Sequence, residues 1–165
     1  MEEWYMQYLR DAYRHALISP DTSTQNGAIV LDRNNYILGW GANEFTNGMD
    51  VTPDLLERPK KYTFIEHAER NAIYHSLRRL NHDPAYGTPH TMVAAWASCA
   101  DCARAIVQSG IKTLIRHDRS GVDRWSESIE AGDIILAAGD VTVIDVKGKI
   151  GRCDPVLVNG ELWNP

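Results

Sequence analysis

Between residues 91 and 146 the chain alternates apolar runs with helix-spaced segments, and this alternation limits the fold more than any other feature. TMVAAWA (91–97), KTLIRH (112–117) and VTVIDV (141–146) read as strands. CADCARAIVQSG (99–110) and DRWSESIEAGDIILAA (123–138) read as the helices between them. Gly110 and Gly139 stand where helices stop, and Asp123 stands where one would be capped. Strand–helix–strand units with short links predict parallel pairing through right-handed crossovers. Upstream, GAIVLD (27–32) and YILGWGA (36–42) flank Arg33, Asn34 and Asn35, which predicts an antiparallel hairpin. The expected architecture is α/β: a mixed five-stranded sheet with helices on both faces and its last strands parallel.

The remaining segments fit around this sheet. Residues 2–17 carry apolar side chains at helical spacing over a wide face. A second helix is expected from about Glu66 to Leu80. Residues 43–65 lack periodicity, and a connection this long is usually functional or mobile. The tail, 147–165, is punctuated by Gly and Pro and is expected to pack on the surface or on another subunit. At 165 residues the chain suits one domain, with a core over about 5–146. Hydrophobic residues make up 44%, too many for disorder, yet no apolar run reaches the roughly 20 residues of a membrane helix. The first residues lack a basic region and an apolar run, so no secretory signal is expected and a cytoplasmic location is. The formal charge of -5 argues against polynucleotide binding by broad electrostatics.

Three cysteines remain, two of them spaced C-x-x-C, which suits metal or redox chemistry better than a disulfide framework. Cys99 and Cys102 lie one turn apart at a helix start, so both thiols face the same point. Thiolates there are favoured by the helix dipole and free backbone N–H groups. His67 sits at the start of the other helix. One imidazole and two thiolates make a tetrahedral zinc set with the fourth position open to water, whose pKa zinc brings towards ~7. Glu69, two residues after His67, is poorly placed to ligate the same ion but can stand beside that water and move its proton. Cys153 has no partner and reads as a structural residue. His15, His75, His82, His90 and His117 lack ligand spacing.

H-x-E followed by C-x-x-C is the signature of zinc-dependent nucleobase deaminases. The segments HAERNAI and CADCARAI, with TQNGAIVLD and the GWGAN stretch, resemble the deoxycytidylate deaminase branch of the cytidine deaminase superfamily over roughly residues 5–145. The resemblance implies a three-layer fold. It implies zinc held by His67, Cys99 and Cys102, and a proton shuttle at Glu69. Backbone N–H groups near Ala68 and Cys99 would steady the ring, and Asn43 would lie near the sugar. The reaction would be hydrolysis at C4 of a cytosine nucleotide, most simply dCMP to dUMP and ammonia. A homo-oligomer, dimer or hexamer, is also implied, with the first helix and the tail as sources of interface.

The remaining substrate contacts come from position. Arg119 and Arg124 follow the fourth strand, where ligands of open α/β sheets gather, and arginine suits a phosphate. Lys60, Lys61 and Tyr62 are further candidates. Trp96 suits core packing as well as it suits pocket lining. Ser98, a candidate substrate contact, replaces the family's usual proline before the first zinc cysteine and should loosen that turn. Glu44 replaces the second glycine of Gly-x-Asn-Gly, which argues against regulation by dCTP or dTTP, since a carboxylate repels a triphosphate. Two alternatives stay open on residues alone: the same fold acting on cytidine, guanine or tRNA adenosine, and a non-catalytic zinc-stabilised module.

Overall fold

The computed structural model describes residues 2–83, 85–119 and 123–165, with the Asp123 side chain outside that description. The helices are α1 (Met6–Ala16), α2 (Lys61–Phe64), α3 (Ala68–His82), α4 (Ala100–Gln108) and α5 (Ser126–Ala138). The strands are β1 (Gly27–Leu31), β2 (Ile37–Ala42), β3 (Glu44–Phe45), β4 (Ile65–Glu66), β5 (Thr91–Ala94), β6 (Thr113–His117), β7 (Thr142–Val146), β8 (Val156–Val158) and β9 (Glu161–Trp163). The main sheet is five-stranded in the order β2-β1-β5-β6-β7. β1 pairs antiparallel with β2 and β5. β5, β6 and β7 run parallel, with Val93, Ile115 and Ile144 in register. The mixed sheet and its parallel end agree with the sequence expectation.

The period-2 alternation of side chains divides the core. In β1, Ala28 and Val30 face one side, where they pack with Ala68, Ala72, Ile106 and Leu136 from α3, α4 and α5. Ile29 and Leu31 face the other side, against Leu9, Ala12, Tyr13 and Ala16 of α1. The tail joins that second layer through the buried Ile150 and Val156 and the half-buried Trp163. Part of the apolar face of α1 and part of the tail tryptophan are thus packed within the chain, while Trp4, Leu17 and Ile18 beside α1 stay exposed. No helix among the described residues is long and apolar enough to cross a membrane.

Several boundaries differ from the sequence expectation, each for a local reason. α3 begins at Ala68 rather than near Glu66, because His67 is extended (φ -78, ψ 151) and Ile65–Glu66 pairs with Glu44–Phe45. α5 begins at Ser126 after a 3-10 turn, so Trp125 rather than Asp123 occupies its N-cap position. The capping role expected of the Asp123 side chain lies outside the described residues. The aperiodic stretch 43–65 holds β3, a 3-10 turn (Pro53–Leu56), α2 and β4. None of these exceeds four residues, too short for any period to register.

α3 lies unusually close to β2, and glycine permits it. A Cβ on Gly41 would stand 2.4 Å from the Ala68 carbonyl oxygen and 2.5 Å from the Ala72 nitrogen. Both obstacles are helix backbone, which cannot swing away. Gly41→Ala is therefore expected to destabilise the fold by about 2 kcal/mol or more, as overpacking does. Calorimetry should show Tm lower by about 4–8 °C. An unchanged Tm would mean that α3 is less firmly seated than its contacts indicate.

Candidate active site

Two helix starts meet at one point behind β5. His67 occupies the N-cap position of α3 and Cys99 that of α4, both with extended backbone, so each side chain projects past its helix end. Cys102 follows in the first turn of α4 and is fully buried. The α4 start is held from a third element, since the Ala100 N–H donates to Ser128 Oγ of α5 at 3.2 Å.

His67 Nδ1 stands 3.5 Å from Cys99 Sγ and 3.5 Å from Cys102 Sγ. The three donor atoms lie within 4.8 Å of one another. A tetrahedral zinc with Zn–N of about 2.0–2.1 Å and Zn–S of about 2.3 Å separates its nitrogen and sulfur ligands by about 3.6 Å. The observed spacing matches, so this donor set could hold zinc without rearrangement. The Cys99 thiol is pulled down to about 3, chiefly by a hydrogen bond from Cys102 and then by His67. A site of this kind already favours the thiolate that a metal requires.

Glu69 is 2% exposed, and its Oε2 has no hydrogen-bond partner among the described residues. Burial pushes its carboxyl up. It lies in the wall of a cleft of about 600 Å³ with His67 and Cys99. A buried carboxyl oxygen left unpaired is expensive in a purely structural role. Trp125 closes one side with its ring edge-on to His67, the centroids 5.9 Å apart. Tyr62 packs edge-on against Trp125 at 5.7 Å.

The candidate substrate contacts divide. Asn43, Trp96 and Arg124 line the cleft, as do Lys61 and Tyr62. Asn43 is firmly held: its Oδ1 accepts the Ala68 N–H at 3.1 Å and its Nδ2 donates to the Thr24 carbonyl at 3.2 Å. The Ala68 N–H expected to steady the ring is therefore already engaged by Asn43. Ser98 is fully buried and does not line the cleft; its hydroxyl lies beside the Glu69 carboxyl, where its hydrogen bond favours the charged form. Arg119 lines an adjoining crevice rather than the main cleft. Lys60 points outward and pairs with Asp54.

Two features escaped the sequence reading. Arg70 brings Nη1 to 3.5 Å from Cys102 Sγ, while its Nε donates to Glu66 Oε1 at 2.5 Å. Its charge offsets that of the thiolate. The i,i+4 pairing of Glu66 with Arg70 was visible in principle, but its closeness to sulfur was not. Lys61 and Asp21 form a nearly fully buried ion pair at 2.8 Å in the cleft wall, joining positions 40 residues apart. Asp21 also accepts the backbone N–H of Ser23 at 2.7 Å.

A family model described as the cytidine and deoxycytidylate deaminase zinc-binding region matches residues 1–117. A deoxycytidylate deaminase of Homo sapiens is 33% identical over 168 residues, spanning 98% of this chain and 88% of that protein. One of Mus musculus is 34% identical over 121 residues, covering 68% of this chain but only 64% of the mouse protein. A crystal structure of dCMP deaminase from the cyanophage S-TIM5, in complex with dCMP and dUMP, superposes with a TM-score of 0.65 at 22% identity. That match covers 88% of this chain and 100% of the phage chain, and at such identity it is a likeness of fold.

Proposed function

This chain belongs to the cytidine and deoxycytidylate deaminase zinc-binding family, and from that premise we propose that it hydrolyses dCMP to dUMP and ammonia. The observation that carries the reading is the placement of the buried Glu69 carboxyl, in the same cleft wall as His67 and Cys99, beside the point where His67, Cys99 and Cys102 converge. His67, Cys99 and Cys102 would hold the zinc. When bound, zinc supplies Lewis-acid chemistry and lowers the pKa of water towards ~7.

The chain's own residues supply the rest. Glu69 takes one proton from the attacking water as its oxygen adds at C4 of the cytosine ring. The same carboxyl passes that proton to ring N3 as the C4–N3 double bond opens, then moves the second proton of the water to the exocyclic nitrogen; the bond from C4 to that nitrogen breaks, ammonia leaves, and the C4 oxygen becomes the carbonyl of uracil. Burial of Glu69 suits both halves of this cycle, because a carboxyl with a raised pKa holds a proton long enough to pass it on. Trp125 and Tyr62 wall the ring and exclude water. Asn43, fixed by Ala68 and Thr24, is positioned for the sugar. Arg124 and Arg119 lie towards the phosphate end. Lys61, engaged by Asp21, braces the cleft wall instead of carrying a free charge.

The same proposal includes a cytoplasmic location and a homo-oligomer, dimer or hexamer. The exposed apolar side chains available to a partner include Trp4 and Ile18 beside α1, Leu162 of the tail, and Tyr36, Tyr74, Leu77 and Ile134.

Ammonia release by the zinc-loaded protein tests the reading on a panel of dCMP, CMP, deoxycytidine, guanine and tRNA. dCMP is expected to exceed deoxycytidine in kcat/KM by at least about tenfold, the equivalent of one modest charged contact to phosphate. Absence of turnover on every cytosine nucleotide, with zinc bound, would overturn it.

A further inference from the structure

The Lys61–Asp21 pair sits in the cleft wall with side chains only 3% and 5% exposed. Taking two charges out of water is costly, and apolar residues of similar volume often serve stability as well or better. Burial of such a pair is therefore weak evidence for a stabilising role. What it fixes in place is more informative.

Asp21 organises the loop between α1 and β1. Its Oδ1 accepts the Ser23 N–H at 2.7 Å and the Thr24 N–H at 3.2 Å, as well as the Lys61 ammonium at 2.8 Å. Its own N–H donates to Ser19 Oγ at 3.2 Å, and that hydroxyl donates to the Asn43 carbonyl at 2.6 Å. The Asn43 N–H donates to the Asn26 carbonyl at 3.2 Å, and its Nδ2 to the Thr24 carbonyl at 3.2 Å. One loop, folded around one carboxylate, thus holds both the backbone and the amide of Asn43. An asparagine amide has two N–H donors, so one remains for a ligand in the cleft.

Lys61 serves another part of the wall. It opens α2, a helix of four residues whose N-cap residue, Lys60, makes no side-chain cap bond. So short a helix does not hold its own shape in water. Its next residue is Tyr62, with the Lys61 ammonium 5.7 Å from the ring centroid. Tyr62 meets Trp125 edge-on, and Trp125 meets His67 in the same way. The Lys61 side chain ties this aromatic series to the loop that holds Asn43, since its Nζ also reaches Asp21 Oδ2 at 3.0 Å.

We propose that Asp21 and Lys61 are positioning residues for the deamination: their ion pair joins the loop that fixes Asn43 to the helix that carries Tyr62, and so sets the sugar-facing and ring-facing walls at one spacing. Asp21 acts through Asn43, and Lys61 acts through Tyr62 and Trp125. A hydrogen-bonded pair of charges fixes distance and direction, which an apolar contact leaves free. Turnover depends steeply on such placement, because a shift of about 1 Å can cost about 10²-fold. The inference rests on the deaminase reading for what the two walls hold.

The test separates placement from stability in the zinc-loaded full chain. Asp21→Asn combined with Lys61→Met removes both charges but keeps an acceptor for the Ser23 and Thr24 N–H groups. Tm should stay within about 4 °C of the parent, and zinc content should not change. The kcat/KM for dCMP should nevertheless fall about 10- to 100-fold, mostly in kcat. Deoxycytidine should lose the same factor, since it offers the same ring and sugar to both walls. Ser19→Ala breaks the link from Asp21 to Asn43 and leaves the charges in place, so a loss of about three- to tenfold is expected. Should the paired variant fail to fold, Ser19→Ala decides. Arg116 supplies the control. It is 7% exposed, pairs with Asp133 and Asp145 at 2.6 Å, and does not line the cleft. Arg116→Met should lower Tm yet leave kcat/KM within about twofold of the parent. Parent-like kcat/KM in the paired variant and in Ser19→Ala would overturn the inference while the deaminase reading stands. An equal loss in Arg116→Met would also overturn it, by tracing the effect to stability. Should the parent itself leave dCMP intact with zinc bound, the deaminase reading fails and the inference falls with it.

Discussion

Glu69→Gln is expected to reduce turnover of dCMP by about 10²–10⁴-fold, the range over which a positioned general acid–base acts. Glutamine keeps the shape and one hydrogen-bonding oxygen while losing the ability to exchange a proton. Zinc content should match that of the parent, because the three donor atoms come from His67, Cys99 and Cys102. Stability separates this role from a structural one. Glu69 is buried, its Oε2 has no hydrogen-bond partner among the described residues, and burial pushes its carboxyl up. Removing an ionisable group from such a place should leave Tm at or above the parent value. A loss of activity with intact zinc and undiminished Tm is the expected result. Retained turnover would mean the proton moves through another group, and a variant that loses both Tm and zinc would make Glu69 a scaffold residue.

The zinc cluster was legible because its logic is local. Cys99 and Cys102 are one turn apart, and His67 and Glu69 two residues apart, so each pair needs only its own helix start. The sheet was legible for a similar reason, since each strand announces itself by a short apolar run. What stayed hidden depends on long-range closure. Lys61 meets Asp21 across 40 residues and Leu157 meets Gln25 across 132, and no periodicity encodes either. Asn43 illustrates a subtler limit. Its place at the end of β2 was foreseeable, but the Ala68 N–H that its amide occupies was expected to serve the substrate. β3, β4 and α2 were missed because segments of two to four residues carry no pattern, yet they bring Tyr62, Lys61 and Ile65 into the cleft wall.

Cys102→Ser should remove zinc and activity together, and the comparison among the three cysteines makes that result specific. Serine replaces an anionic sulfur with a neutral hydroxyl that seldom ionises near pH 7, so it is a far poorer zinc donor. The surroundings make matters worse, because Arg70 Nη1 lies 3.5 Å from this sulfur and would face a neutral oxygen in place of a thiolate. Metal analysis after dialysis against a chelator should find less than about a tenth of the parent's zinc, with turnover reduced in step. The fold should also weaken. A ligand present at a thousand times its dissociation constant stabilises a protein by about 4.1 kcal/mol, and that contribution disappears with the metal. Stability of the parent should therefore fall on chelation, whereas that of the Cys102→Ser protein should respond little. Cys153 supplies the contrast. It lies half-buried in the tail, with Sγ 3.5 Å from the Gly151 carbonyl and no part in the His67 cluster. Cys153→Ser should keep its zinc and its response to chelator. Loss of zinc from both variants would point to a general weakening of the fold rather than to a ligand. Loss from Cys102→Ser alone is what the converging geometry of His67, Cys99 and Cys102 requires.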